Sequence, residues 1–273
     1  MRSRLPSYHN HTRWSDGVAS LDEFVAVASA YTGEIGISDH FVLSPHGPVD
    51  WSMPVERLAD YTDAVLRCAA PFATPHSPFA VRLGVEADYF PESVDDVARA
   101  LRRHPFDFVI GAVHFVGQFP LDSRAADWAC LNQEQVDDVW RRYWRLVTQM
   151  ARTGLFDIAA HLDLPKKFGY RPSVDLAAEE AEALDAIRDA GMAIEINTAG
   201  WALPAGEQYP AQRFLEGART RSIPIVLSAD AHRPDHATRF FARAIGVARE
   251  AGYHGSCRFV QRACIVEDFP AEE

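Results

Sequence analysis

The chain has 273 residues, 48% of them hydrophobic, and its 27 Lys+Arg against 38 Asp+Glu give a net charge of −11. This acidic balance argues against a nucleic-acid partner, which requires clustered basic residues, and no apolar run of about 18 residues predicts a membrane span. With no secretory signal and no C-x-x-C pair among the four cysteines, we expect reduced thiols and a cytoplasmic protein.

Short apolar runs typical of strands alternate with helical patterns along the whole chain. The predicted strands are residues 7–11, 34–38, 79–85, 106–113, 156–160, 193–196 and 223–228, with a further strand-like piece at 258–266. The predicted helices are residues 21–31, 53–70, 93–103, 133–152, 174–190, 212–221 and 237–251. At the start of the first helix, Ser20 and Glu23 have the spacing of a capping box.

These runs form about seven βα units, and the strands are apolar throughout, as buried parallel strands should be. Such alternation fits either a closed barrel or an open, doubly wound sheet. An open sheet usually collects its ligands at one switch point. Here polar residues follow almost every strand, which favours a closed, TIM-like ring with its site at the carboxyl ends of the strands. No long linker or repeat divides residues 1–273, so we predict a single α/β domain.

The polar residues that follow the strands are mostly histidines and carboxylates. They are His9, His11, Asp16, His40, Glu86, His114, His161, Asp230 and His232. His9 and His11 are two residues apart, so on an extended backbone they point to the same face, and Asp230 and His232 repeat that spacing. Imidazole and carboxylate without thiolate suit zinc, manganese or iron in a hydrolytic site. The sequence therefore predicts a multi-metal hydrolase.

Other polar residues near these positions receive weaker interpretations. Asp39 is interpreted as a carboxylate that orients a neighbouring histidine, and Asn197 as a hydrogen-bonding residue at the rim. Glu86 ends an apolar strand, where a carboxylate needs a cation or a donor. The absence of a G-x-S-x-G motif and of a phosphate-binding P-loop counts against a serine esterase and an NTPase.

The order of these motifs resembles the polymerase-and-histidinol-phosphatase (PHP) superfamily, and within it the histidinol-phosphate phosphatases. The resemblance covers nearly the whole chain. Its general motifs are His9-Asn10-His11-Thr12, Ser15-Asp16-Gly17, Ser38-Asp39-His40, Glu86, His114, His161 and Ser228-Ala229-Asp230-Ala231-His232. The motifs typical of the phosphatase branch are Glu86-Ala87-Asp88-Tyr89, Gly111-Ala112-Val113-His114-Phe115, Phe119-Pro120-Leu121-Asp122, His161-Leu162-Asp163-Leu164 and Glu195-Ile196-Asn197-Thr198.

The resemblance implies a distorted barrel of seven βα units with a centre of two to three divalent metal ions. It implies that the first metal is held by His9, His11, Glu86 and Asp230. Glu86 would bridge to a second metal that is also held by His114 and His161. The third would be held by Asp16, His40 and His232.

The reaction implied is hydrolysis of L-histidinol phosphate in histidine biosynthesis, by attack of a metal-bridging hydroxide on phosphorus. The leaving alkoxide then needs a proton or a cation, from an acid near Asp230 or His232 or from a metal-bound water, and these two residues are the predicted catalytic pair. The family commonly has a basic residue after its Asn-Thr segment, but none follows Asn197 here. We therefore predict Lys166, Lys167 and Arg233 as the substrate-binding cations.

Three alternatives remain open at this point. A PHP-fold phosphoesterase could act on another small phosphate ester or on a nucleotide. An amidohydrolase also begins with His-x-His, but it often uses a carboxylated lysine bridge, and no lysine lies at a strand end here. A metal-supported binding domain is the non-enzymatic alternative. The first alternative includes a nuclease, against which the acidic balance counts. The expected partner is a small-molecule phosphate ester, with no nucleic acid and no membrane.

Overall fold

The computed structural model describes residues 5–74 and 76–271, in which helices alternate with short strands. The α-helices, α1 to α8, are Leu21–Ala28, Leu58–Ala69, Val94–Leu101, Ala125–Ala129, Gln133–Arg152, Ala177–Asp189, Gln212–Thr220 and Phe241–Glu250. The β-strands, β1 to β12, are Glu34–Ile37, His40–Phe41, Ala80–Leu83, Glu86–Asp88, Ile110–Ala112, Phe115–Val116, Phe119–Pro120, Ile158–Ala159, Ala193–Asn197, Ile225–Ser228, Gly255–Val260 and Ala263–Asp268. Each predicted helix is confirmed, and Ser20 and Glu23 form the predicted capping box.

The centre of the fold is a parallel sheet with the strand order β10-β9-β8-β5-β4-β2, next to a parallel pair of β1 and β3. This confirms the α/β class. The predicted first strand, 7–11, makes only isolated parallel bridges, from Ser7 to Ile35 and from Asn10 to Ala231. Its backbone lies between β1 and the segment that follows β10, because the Ala231 amide donates to the His9 carbonyl at 3.0 Å.

Two predicted strands, 34–38 and 79–85, are confirmed as β1 and β3, and each is followed by a short strand that was not predicted. These are β2, after a break at residues 38–39, and β4, after a break at residues 84–85. The buried Tyr61 hydroxyl lies at both breaks, 3.0 Å from the Ile37 carbonyl oxygen and 2.8 Å from that of Gly84. It also accepts from the Asp39 amide at 3.3 Å, so it stands between that amide and the Gly84 carbonyl, whereas the Gly84 amide still donates to the Ile37 carbonyl. Beyond the breaks, His40 and Glu86 are direct partners in the pairing of β2 with β4.

The strands separate two apolar clusters. Side chains alternate along a strand, so Ile110 and Ala112 of β5 lie in a smaller cluster with Tyr8 and Phe108. Val109 and Val113 lie in the larger cluster, which also contains helix residues. The Phe108 ring packs so closely against β3 that a Cβ on Gly84 would lie 2.1 Å from it. Any larger residue at position 84 would displace the ring.

The end of the described chain corrects two predictions. The piece predicted as one strand at 258–266 is a hairpin, in which β11 and β12 pair antiparallel around Gln261 and Arg262. These two residues have positive φ, a conformation usually signalled by Asn-Gly, so the turn was not recognised. The hairpin brings Cys257 and Cys264 within 5.6 Å between Cα atoms, and they form a disulfide instead of the expected thiols. No helix in the described ranges is long and apolar enough to cross a membrane.

Candidate metal centre

All nine predicted metal ligands lie together at the carboxyl end of the sheet. Four groups have candidate ligand atoms within 4.8 Å of one another, and they share several members. The groups are His11, Asp16, His40 and His232; His9, His11 and Glu86; His9, His161 and Asp230; and His40, Glu86 and His114. Segments more than two hundred residues apart in sequence therefore contribute to one cluster.

Glu86 lies at the middle of this cluster and is fully buried. Its Oε2 is 3.1 Å from His9 Nε2 and 2.7 Å from His40 Nδ1. Its Oε1 is 3.1 Å from His161 Nε2 and 3.6 Å from His114 Nε2. With His11 Nε2 also 3.6 Å from Oε2, one carboxylate faces five imidazoles, three on Oε2 and two on Oε1. Contacts on both oxygens are the arrangement that a bridging ligand requires.

Several buried atoms at the centre have no hydrogen bond. His9 Nε2, His11 Nε2 and Glu86 Oε2 are among them, although the two nitrogens lie 3.1 and 3.6 Å from the oxygen. Leaving such a group unsatisfied costs about 1–3 kcal/mol. Burial and the charges of His40 and His232 lower the pKa of His11 to about 3, whereas, against the effect of burial, nearby carboxylates raise the pKa of His9, His114 and His232. A ligand imidazole must be deprotonated, so metal binding here would displace protons. The atoms therefore fit divalent metal ions.

The third predicted ligand set lies at the more open side of the cluster. His232 Nε2 is 3.1 Å from Asp16 Oδ2, and His40 Nε2 is 3.8 Å from Asp16 Oδ1. The rings of His40 and His232 both stack with the same imidazole, that of His11, at 4.2 and 4.3 Å between centroids. The His232 and Asp16 side chains are 36% and 32% exposed, so this part of the cluster faces the cavity mouth.

Glu195 supports the centre from beneath, a role that the sequence analysis did not assign. Its Oε2 accepts hydrogen bonds from His9 Nδ1 at 2.9 Å and from the Ser228 hydroxyl at 2.7 Å. Its Oε1 accepts from the His161 amide at 2.5 Å and from the Asn197 side chain at 2.9 Å. Burial alone would raise the pKa of Glu195, but His9 outweighs it and lowers that pKa, so the carboxylate stays charged. Glu195 lies two residues before Asn197 on β9 and faces the same side of the strand. This spacing is the sequence signal that could have identified it.

Two other carboxylates have different supporting roles. Asp88 accepts a hydrogen bond from His114 Nδ1 at 2.7 Å, which fixes the ring so that Nε2 faces the cluster. Asp39 was predicted to orient a histidine, but its hydrogen bonds go to Thr12 and Ser15. The Thr12 amide and hydroxyl donate at 2.7 and 2.8 Å, and the Ser15 hydroxyl at 2.7 Å. Asp39 therefore shapes the loop that carries Asp16.

A cavity of about 270 Å³ opens onto the cluster. Apart from the candidate ligands, its lining includes Trp51, Asp122, Leu164, Lys167, Leu203 and Tyr209. The volume is sufficient for a small molecule. Trp51 packs against the rings of His40 and His114, at 4.6 and 5.4 Å between centroids, so a ligand in this cavity meets imidazoles and an aromatic side chain together.

The three predicted substrate-binding cations lie in different places. Lys167 lines the cavity, with Nζ 2.8 Å from the Asp122 carbonyl oxygen. Lys166 is buried behind the wall, where Nζ donates to the Gln208 carbonyl at 2.7 Å and pairs with Asp163 at 3.0 Å. Arg233 is exposed and is directed to Asp235, 3.2 Å away. Of the three, the structure brings only Lys167 to the cavity.

Fold and cluster together define a class, the α/β proteins that carry a histidine–carboxylate cluster suited to divalent metals at the ends of parallel strands. A model of the PHP domain matches residues 7–199. A probable histidinol-phosphatase of Deinococcus radiodurans is 34% identical over 248 residues, which are 89% of this chain and 92% of that protein. The chain belongs to the PHP domain family.

Two further comparisons agree with this assignment. A histidinol-phosphatase of Bacillus subtilis is 26% identical over 177 residues, 56% of this chain and 64% of that protein. The crystal structure of histidinol phosphate phosphatase from Lactococcus lactis subsp. lactis, in complex with zinc, L-histidinol and phosphate, matches with a TM-score of 0.79 at 21% identity. The match covers 96% of this chain and 99% of that one, so the two share one fold over almost their entire length.

Proposed function

We propose that this protein is a metal-dependent phosphomonoesterase that hydrolyses L-histidinol phosphate to L-histidinol and phosphate. The observation that carries the proposal is the buried Glu86 carboxylate, which faces five imidazoles at the base of a cavity. The relative from Deinococcus radiodurans supports the substrate, and so does the Lactococcus structure with its bound zinc, L-histidinol and phosphate. A role in histidine biosynthesis, and with it a cytoplasmic location, follows from this proposal.

The proposed ligands are the nine predicted residues, for two to three ions of zinc, manganese or iron. One set is His9, His11, Glu86 and Asp230, the second is Glu86, His114 and His161, and the third is Asp16, His40 and His232. The two-sided contacts of Glu86 support its role as a bridge, and the group formed by His11, Asp16, His40 and His232 supports the third set. The short distance from His40 Nδ1 to Glu86 Oε2 also brings the third set close to the bridge.

Bound metals would supply an activated water as the nucleophile and neutralise charge on the phosphoryl oxygens. The chain itself provides the positioning. Lys167 adds a positive charge at the cavity wall, and Trp51, which packs edge-on against the His40 and His114 rings, adds an aromatic surface beside the cluster. Asp230 and His232 line the same cavity and are the proposed groups that handle the proton required by the leaving alkoxide.

We also propose that residues 1–273 form one domain, a distorted barrel of seven strands. The support is that the 7–11 segment bridges both to β1 and to the segment after β10, so it lies between the first and last strands of the ring. Further support is the smaller apolar cluster, in which Tyr8 meets side chains of β5, β8, β9 and β10. Such a cluster is expected inside a closed ring.

The function is tested by assaying phosphate release from L-histidinol phosphate, a phosphodiester and an amide. Metal-loaded protein is expected to hydrolyse only the phosphomonoester efficiently. Removal of the metal with a chelator should abolish the activity, and Mn²⁺ or Zn²⁺ should restore it. The proposal fails if the diester or the amide is the better substrate, or if the chelated protein retains full activity.

Lys167→Ala is expected to lower kcat/KM for L-histidinol phosphate at least about tenfold, equivalent to about 1.4 kcal/mol, with unchanged metal content. The reason is that a phosphate dianion needs positive charge beyond the metals. Lys166→Ala and Arg233→Ala complete the proposed substrate-binding set. If Lys166→Ala or Arg233→Ala lowered kcat/KM as much as Lys167→Ala does, the side chain concerned would have to leave its acidic partner, Asp163 or Asp235, when substrate binds. Arg99→Ala, on the exposed face of α3, is the control, and parental kinetics in Lys167→Ala would remove that residue from the pocket.

A further inference from the structure

Tyr209 is a buried tyrosine whose hydroxyl has no hydrogen-bond partner in the described part of the chain. Its side chain is held firmly, and only 2% of the residue is exposed. The backbone pairs with Asn197 in both directions, at 2.7 and 3.0 Å, and Lys166 Nζ lies 5.1 Å from the ring centroid. The ring is therefore fixed at the wall of the cavity, which it lines together with Asp230 and Asp122.

Other buried tyrosines satisfy their hydroxyls within the protein. Tyr8 donates to Glu34 at 2.5 Å, Tyr61 to the Gly84 carbonyl at 2.8 Å, and Tyr253 to the Ile223 carbonyl at 2.9 Å. An unsatisfied buried hydroxyl costs about 1–3 kcal/mol. At a cavity wall, this cost is recovered when a bound molecule brings the missing partner, which indicates that the partner of Tyr209 is a ligand.

The chemistry of Tyr209 determines what kind of ligand atom it meets. A tyrosine hydroxyl is protonated at neutral pH, because its ordinary pKa is about 10, so it has a proton to donate as well as an oxygen that accepts. A phosphoryl oxygen offers only acceptor positions and takes that proton, whereas the ammonium group of L-histidinol could use only the hydroxyl oxygen. A neutral donor here would supply a phosphate contact beside Asn197, where the sequence has no Arg or Lys.

We infer that the Tyr209 hydroxyl donates a hydrogen bond to a phosphoryl oxygen of the substrate, which makes Tyr209 a substrate-binding residue of this enzyme. The inference rests on the proposed function, because it assumes that a phosphate ester occupies the cavity. Under this inference the phosphate group of the substrate is bound by Tyr209 in addition to the metals and Lys167.

The test uses Tyr209→Phe in the metal-loaded protein, with Tyr253→Phe as a matched control. We expect Tyr209→Phe to bind inorganic phosphate about tenfold more weakly, by competitive inhibition and by ligand-induced thermal shift. L-histidinol should inhibit it as it inhibits the parent. Without ligand, Tyr209→Phe should melt like the parent, because no internal hydrogen bond is lost. Tyr253→Phe should show the reverse pattern, with a lower melting temperature and unchanged phosphate binding.

Three results would overturn the inference. They are parental phosphate affinity in Tyr209→Phe, a loss confined to L-histidinol, and a fall in the ligand-free melting temperature as large as that of Tyr253→Phe. The thermal shift measures phosphate binding without turnover, so the two hypotheses fail separately, and competitive inhibition is compared only where the parent is active. A parent that binds phosphate but does not hydrolyse L-histidinol phosphate contradicts the proposed function alone, and parental phosphate affinity in the variant of an active enzyme contradicts the Tyr209 inference alone.

Discussion

Replacing Glu86 by alanine is expected to lower turnover of L-histidinol phosphate by at least about 10³-fold, or about 4 kcal/mol of transition-state stabilisation. Bound metal should fall with it. The reason is geometric, since both oxygens of Glu86 face imidazoles, whereas Asp230 faces His9, His11 and His232 through Oδ1 alone. Phosphate release and elemental analysis of the purified protein measure the two effects.

His232→Ala provides the comparison within the site, and Glu216→Ala the control outside it. His232 lies at the exposed edge of the cluster, so its loss should release less metal than the loss of Glu86. Glu216 is exposed on α7, and its replacement should change neither metal content nor rate. Full metal occupancy in Glu86→Ala would remove the bridging role, and equal metal loss in His232→Ala would contradict the proposed difference between centre and edge.

Glu195→Ala is expected to reduce stability by about 3–5 kcal/mol, because it removes the carboxylate from a buried pair with His9. It also leaves the Ser228 hydroxyl and the His161 amide without their acceptor. Metal affinity should fall about 10- to 100-fold, as when other partners of metal-ligating histidines are lost. Urea unfolding and metal titration report these two quantities separately.

Glu195→Gln separates charge from packing. It keeps the volume of the side chain but places a neutral amide against His9, so metal affinity should fall while much of the stability is retained. Glu182→Ala, an exposed change in α6, is the matched control. Parental metal affinity in Glu195→Gln would show that its charge is not needed, and parental stability in Glu195→Ala would contradict the buried-pair argument.

Local sequence patterns predicted much of the fold. The helix 133–152 has the same bounds in the sequence prediction and in the structure, because an Asn132–Gln135 capping box begins it and a regular apolar face continues to its end. The parallel α/β class and membership in the PHP family were likewise expected from the sequence and are confirmed. The short strands β2 and β4 were not predicted, since the Tyr61 hydroxyl that lies at the breaks before them comes from a helix outside these strands.

The candidate ligands could be chosen by residue type and position, because a carboxylate or imidazole directly after a buried strand is costly to bury without a cation or a hydrogen-bond partner. The sequence alone therefore determined which side chains belong to the cluster proposed here and that parallel strands carry them. Only the tertiary structure decided how they are supported. Glu195 reaches His9 across 186 positions, Lys166 is enclosed behind the wall while Lys167 faces the cavity, and the Tyr209 hydroxyl is left without a partner in the described chain. Each of these depends on distances between segments far apart in the chain, which local pattern does not specify.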